Sequence, residues 1–119
     1  MYSERLIDYF QNPRNVGELA PPAVTVEVSN PACGDILGLS VRFEGDVAAE
    51  ARYKTRGCTG SIAAGSALTE LIIGKTRAEL AGLKPATLEE ALGGLAPESA
   101  HAAVLCVDGV RAVLKASAF

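Results

Sequence analysis

The sequence predicts an α+β fold in which a three-stranded antiparallel sheet carries helices packed on one face. Three segments, 24–28, 36–43 and 47–55, alternate apolar and polar residues as half-buried strands do. Short links separate them, which favours an antiparallel meander. From residue 59 onward, apolar residues recur at helical spacing instead. Because the chain has only 119 residues, we expect residues 1–119 to form a single domain.

Local signals set the ends of the N-terminal elements. The first helix is predicted over residues 3–11, with Ser3 as its N-cap. The sequence Glu-Gly-Asp at 44–46 is a tight turn, so the strands on either side of it should pair as a hairpin. A long helix is predicted over residues 61–73, and Gly74 ends it.

Two capping boxes predict the starts of two short helices further along. Thr76 is followed three residues later by Glu79, and Thr87 is followed in the same way by Glu90. In each pair the hydroxyl and the carboxylate can satisfy backbone N–H groups that a helix start leaves unpaired. The last helix is predicted over residues 100–115.

The composition indicates an ordinary globular protein without an affinity for nucleic acid. Apolar residues make up 49% of the chain and charged residues 21%, and the net charge is −3. A nucleic-acid partner would require a basic face, and the basic residues here are scattered. No apolar run reaches membrane-spanning length, and the N-terminus lacks the pattern of a secretory signal. We therefore expect a cytoplasmic protein with reduced thiols.

The three cysteines, Cys33, Cys58 and Cys106, are the residues most informative about function. An odd number of cysteines argues against a framework made only of disulfides. None of them forms a C-x-x-C pair, so a zinc ribbon or a thioredoxin-like redox motif is poorly supported. Metal or sulfur chemistry is the better interpretation in a reducing compartment.

Cys33 lies in a predicted loop between two strands, two residues before Asp35. Gly34 would allow the backbone to approach a ligand closely. A thiolate favours zinc, copper(I) or iron–sulfur clusters, and a carboxylate can complete the coordination of zinc or iron. The alternative interpretation is a half-buried loop cysteine, with Asp35 bonding to the backbone of the turn.

Cys58 lies where a strand changes to a helix. The backbone N–H groups of Thr59, Gly60 and Ser61 would be unpaired at the helix start, and their dipoles would stabilise a thiolate and lower its pKa. This environment suits a nucleophile or a metal ligand. The alternative is a helix start whose small residues serve only tight packing.

Cys106 lies in the last predicted helix among apolar residues, which by itself favours a core residue. His101 is the only histidine and precedes Cys106 by five residues. On one continuous helix the two side chains would lie about 140° apart and could not converge on one metal. His101 would qualify as a ligand only if the helix began after it, so we expect a surface or capping histidine. Asp35 is then the most economical fourth ligand.

Taken together, the motifs of the chain resemble the IscU/NifU N-terminal family of iron–sulfur cluster assembly scaffolds. The resemblance covers almost the whole chain in the right order. The matching segments are NPRNVG at 12–17, ACGD at 32–35, ARYKTRGC at 51–58, SIA at 61–63, GKT at 74–76 and the final helix with Cys106.

The resemblance implies a scaffold rather than an enzyme. Such a protein accepts sulfur as a persulfide from a cysteine desulfurase, assembles a transient 2Fe–2S cluster and transfers it to apo-proteins. Cys58, Cys106 and Cys33 would be the candidate sulfur acceptors, and the same three cysteines with Asp35 would bind the cluster or zinc. The N-terminal segment through Gly17 would contact the desulfurase.

Two departures from the IscU pattern lie near the third cysteine. IscU-type members carry histidine immediately before that cysteine, where this chain has Leu105. They also carry a Leu-Pro-Pro-Val-Lys stretch recognised by an Hsp70-type chaperone, which residues 97–102 do not match, so delivery through that chaperone is doubtful. The missing histidine resembles the SufU branch, whose zinc-bound members accept persulfide without building a cluster. SufU proteins, however, carry a long insertion that is missing here, since Cys58 and Cys106 are only 48 residues apart.

Overall fold

Three strands form the sheet on which the helices are arranged. A computed structural model describes residues 2–31, 34–95 and 100–117 of the chain. The elements are, in order, α1 (Glu4–Gln11), β1 (Val24–Asn30), β2 (Asp35–Glu44), β3 (Val47–Arg56), α2 (Thr59–Ile72), α3 (Arg77–Ala81), α4 (Pro85–Ala91) and α5 (Ala100–Ala116). The strand order is β1-β2-β3 with both pairs antiparallel. The predicted fold class is confirmed.

Helices α2 and α5 pack against the apolar face of the sheet. On the central strand β2, Leu37, Leu39 and Val41 are buried, as alternation predicts. Two helical glycines allow the close approach: a Cβ at Gly109 of α5 would lie 3.1 Å from Leu37, and one at Gly65 of α2 would lie 2.5 Å from the Tyr53 ring. The core therefore lies between one sheet face and these two helices.

The segment after α1 pairs with the free edge of β3. The amide of Tyr53 donates to the Asn15 carbonyl at 2.9 Å, and the Gly17 amide donates to the Tyr53 carbonyl at 2.8 Å. Val16 thereby forms a parallel bridge with Tyr53. A single bridge is too short to give an alternating pattern, so the sequence does not reveal this pairing.

The capping predictions have different outcomes. Ser3 caps α1, and Thr76 with Glu79 forms the predicted box at α3. The predicted start at Thr87 is wrong, because α4 already begins at Pro85. Proline is favoured in a first helical turn, where its missing N–H costs no hydrogen bond.

Helix α2 begins at Thr59, two residues before the predicted start, and Cys58 is its N-cap residue. This places the cysteine at the helix terminus itself. No helix among residues 2–31, 34–95 and 100–117 is long and apolar enough to cross a membrane.

Candidate metal and sulfur site

The carboxylate of Asp35 is the centre of the site. Asp35 begins β2, and only 6% of the residue is exposed. The Ser61 hydroxyl, from the first turn of α2, donates to its Oδ2. His101 Nε2, from the first turn of α5, lies 2.9 Å from the same oxygen. One carboxylate therefore joins the sheet to the N-terminal turns of both large helices.

Gly57 makes room for this carboxylate. A Cβ at Gly57 would lie 2.7 Å from Asp35 Cγ and 2.8 Å from Oδ1. Real Cβ atoms do not approach other atoms so closely, so any side chain at this position would displace the carboxylate. Glycine is required here by the close approach and not by an unusual backbone angle.

Cys58 is exposed at the start of α2. Its partial burial alone would raise the pKa of the thiol, but the Ser61 hydroxyl and the nearby N–H groups of Ser61 and Gly60 favour the thiolate and outweigh it, so the pKa is lowered. The direction predicted from the sequence is thus confirmed. The Ser61 hydroxyl donates to Asp35 Oδ2 and also lies 3.5 Å from Cys58 Sγ, a contact in which either atom can be the donor.

His101 does not have the surface or capping role expected from the sequence. The helix is continuous from Ala100, so His101 and Cys106 do diverge as the helical geometry requires. It is His101, however, that turns toward Asp35. The spacing between His101 and Cys106 carries no information about the tertiary contact of His101 with β2. The sequence does contain one signal for this contact. Leu105 occupies the position where the IscU pattern has histidine, and it lies four residues after His101. Residues four apart lie on the same side of a helix.

Cys106 faces the core. It is 2% exposed, and burial raises the pKa of its thiol to about 12. Cys33, the other predicted ligand, lies outside the described residues. The ligand roles that the resemblance implies for these two cysteines stay predictions.

The donors that the described residues do bring together are Asp35, Cys58 and His101. Their ligand atoms all lie within 4.8 Å of one another. A thiolate, an imidazole and a carboxylate are the donors found together on zinc, and each also binds iron. The chemistry of this donor set therefore fits a metal ion or a cluster iron.

These features define a small α+β domain that presents a thiol beside oxygen and nitrogen donors at one end of its sheet. The chain matches the family profile described as NifU-like N terminal domain over residues 1–117. It is 36% identical to the iron-sulfur cluster assembly scaffold protein IscU of Haemophilus influenzae, across 95% of this chain and 92% of that protein. The IscU scaffold protein of Azotobacter vinelandii is 37% identical, with 96% and 91% covered. The chain belongs to the NifU-like N-terminal domain family.

A solved structure supports the same fold. A protein from Fervidobacterium islandicum AW-1, described as an iron–sulfur cluster assembly scaffold for the SUF system, superposes with a TM-score of 0.77 at 24% sequence identity. The match covers 95% of this chain and 96% of that protein. At this level of identity the comparison concerns the fold alone.

We predict that Cys58 reacts with an alkylating agent far faster than Cys106 in the folded, chelator-treated protein. The reason is that Cys58 is exposed with a lowered pKa, whereas Cys106 is buried with a raised one. One variant lacks Cys33 and Cys106 and the other lacks Cys33 and Cys58, so each variant keeps a single thiol. At pH 7 the Cys58 rate should exceed the Cys106 rate by about tenfold or more. It should rise with pH to a midpoint below the usual pKa of a cysteine thiol. Equal rates, or a Cys58 midpoint above that usual pKa, would contradict this assignment.

We also predict that Gly57→Ala weakens zinc binding by about 10- to 100-fold, because the new methyl group displaces the Asp35 carboxylate. Competition with a chromophoric chelator measures the affinity. Gly82→Ala is the matched control, since the nearest atom to its Cβ would be 3.6 Å away, in ordinary contact. Circular dichroism checks that both variants fold. Unchanged zinc affinity in a folded Gly57→Ala protein would show that the carboxylate position does not matter.

Proposed function

We propose that this chain is a scaffold for iron–sulfur cluster assembly. It accepts sulfur from a cysteine desulfurase, assembles a 2Fe–2S cluster and transfers the cluster to apo-proteins. The observation that carries the proposal is the exposed Cys58 thiol with its lowered pKa, within 4.8 Å of an oxygen and a nitrogen donor. Relatives named as IscU scaffolds, matched over nine-tenths of their length, support it.

Of the two candidate sulfur acceptors that the structure describes, Cys58 is the better placed. Its thiolate attacks the outer sulfur of the desulfurase persulfide, a new S–S bond forms at Cys58, and the desulfurase cysteine leaves as a thiolate. This exchange needs an accessible, ionised thiol, which Cys58 provides and the buried Cys106 does not. Cys33 remains a candidate from the family resemblance.

Cys33, Cys58, Cys106 and Asp35 form the proposed ligand set for the cluster, which is the cargo of the protein. An oxygen ligand binds iron less tightly than a thiolate, so Asp35 leaves the cluster easier to release. Cys106 enters this set from the family resemblance; in the present fold its side chain is buried and lies about 140° around the helix from His101.

The desulfurase contact is proposed at the N-terminal segment. Ile7, Phe10 and Val16 are large apolar residues that are 39%, 37% and 53% exposed. Apolar side chains left exposed together suit a protein interface. The thiol chemistry requires a reducing compartment, and we propose the cytoplasm.

A second candidate is a zinc-bound sulfurtransferase that accepts persulfide and builds no cluster. Two observations favour it: the chain has Leu105 in place of the IscU histidine, and the Asp35, Cys58 and His101 donors suit tetrahedral zinc.

Anaerobic reconstitution with a cysteine desulfurase, cysteine and ferrous iron tests the proposal. We expect sulfide-to-iron charge-transfer absorption, with iron and sulfide in equal amounts. Cys58→Ser should abolish both persulfide and colour, while Thr59→Ser, its matched control, should keep them. One zinc per chain with faster desulfurase turnover and no colour would favour the sulfurtransferase. No persulfide and no cluster would refute both functions.

A further inference from the structure

We propose that His101 is a metal ligand of this chain, and that the first turn of α5 provides the imidazole of the site. This inference deepens the proposed function and rests on it, because it adds a donor to the same site. From the sequence alone, a surface or capping role is expected for His101. Contacts of the described residues carry it.

The donor atoms of His101, Asp35 and Cys58 lie close together. His101 Nε2 lies 2.9 Å from Asp35 Oδ2. One ligand atom from each of Asp35, Cys58 and His101 lies within 4.8 Å of the other two. Donor atoms on tetrahedral zinc are about 3.3–3.7 Å apart, given metal–ligand bonds of about 2.0–2.3 Å. The three atoms therefore need to move by only about 1 Å to enclose a metal.

The Asp35 carboxylate has a second hydrogen-bond partner besides His101. Ser61 already donates to Asp35 Oδ2, so the carboxylate keeps a hydrogen-bond partner when the imidazole turns to a metal. A hydrogen-bonded ligand of this kind is held in a fixed orientation. The Asp35 side chain is 8% exposed and the His101 side chain is 25% exposed. The more exposed imidazole therefore contacts a carboxylate that is largely shielded from solvent.

The positions of the side chains around α5 also favour His101 as the ligand. Leu105, four residues after His101 and on the same side of the helix, is buried and has no donor atom. Cys106 lies about 140° from His101 around the helix axis and faces the core. Among the residues of α5, His101 is therefore the donor directed at Asp35 and Cys58.

The experiment uses the full chain without a histidine tag, so that its single histidine gives the only imidazole signals. The metal-free protein, labelled with ¹⁵N in histidine, is loaded with ¹¹³Cd²⁺ in place of zinc. We expect one-bond ¹¹³Cd coupling to split the Nε2 resonance of His101 and to leave Nδ1 unsplit. Absence of coupling in the loaded protein, or failure of the wild-type chain to bind the metal, would overturn the proposal.

Affinity provides the second measurement. His101→Gln keeps an amide that can donate to Asp35 but loses the imidazole, and we expect it to weaken zinc binding by at least about 100-fold. Val104→Gln, at an exposed position of the same helix, is the matched control and should bind as wild type. If His101→Gln binds zinc within about threefold of wild type, His101 is only a hydrogen-bond partner of Asp35. Cluster assembly by wild type without the ¹¹³Cd coupling would leave the proposed function standing and refute this inference alone.

Discussion

The buried carboxylate of Asp35 is the interaction on which the site depends. Burying a carboxylate costs several kcal/mol unless hydrogen bonds or opposite charges compensate it. Here Ser61 and His101 approach the same oxygen, and Gly57 leaves the space that the carboxylate occupies. The compensation comes from two different helices, so the contact that stabilises the charge also fixes the start of α2, and with it Cys58, relative to α5.

The two described cysteines differ because of their positions on helices. Cys58 precedes α2, where unpaired N–H groups stabilise a negative sulfur. Cys106 lies in the middle of α5 among apolar side chains, where burial favours the neutral thiol. One thiol is therefore accessible with a lowered pKa, whereas the other is buried with a raised pKa.

Much of the fold follows from local sequence signals. Alternation identified the three strands, and the Thr76 box identified α3, because both signals act over a few residues. The start of α4 at Pro85 was missed because Thr87 and Glu90 offered a competing capping signal two residues later. The role of His101 could not be predicted in the same way: its partner Asp35 is 66 residues away in the sequence, and only the packing of α5 on the sheet brings them together.

The most direct test of this account is a crystal structure of the zinc-loaded chain, with anomalous scattering measured on both sides of the zinc edge. The account predicts a zinc peak bonded to Asp35, Cys58 and His101, with Ser61 still donating to the carboxylate. A zinc bound through Cys106, with His101 turned to solvent, would contradict the central role given to the contact between Asp35 and His101.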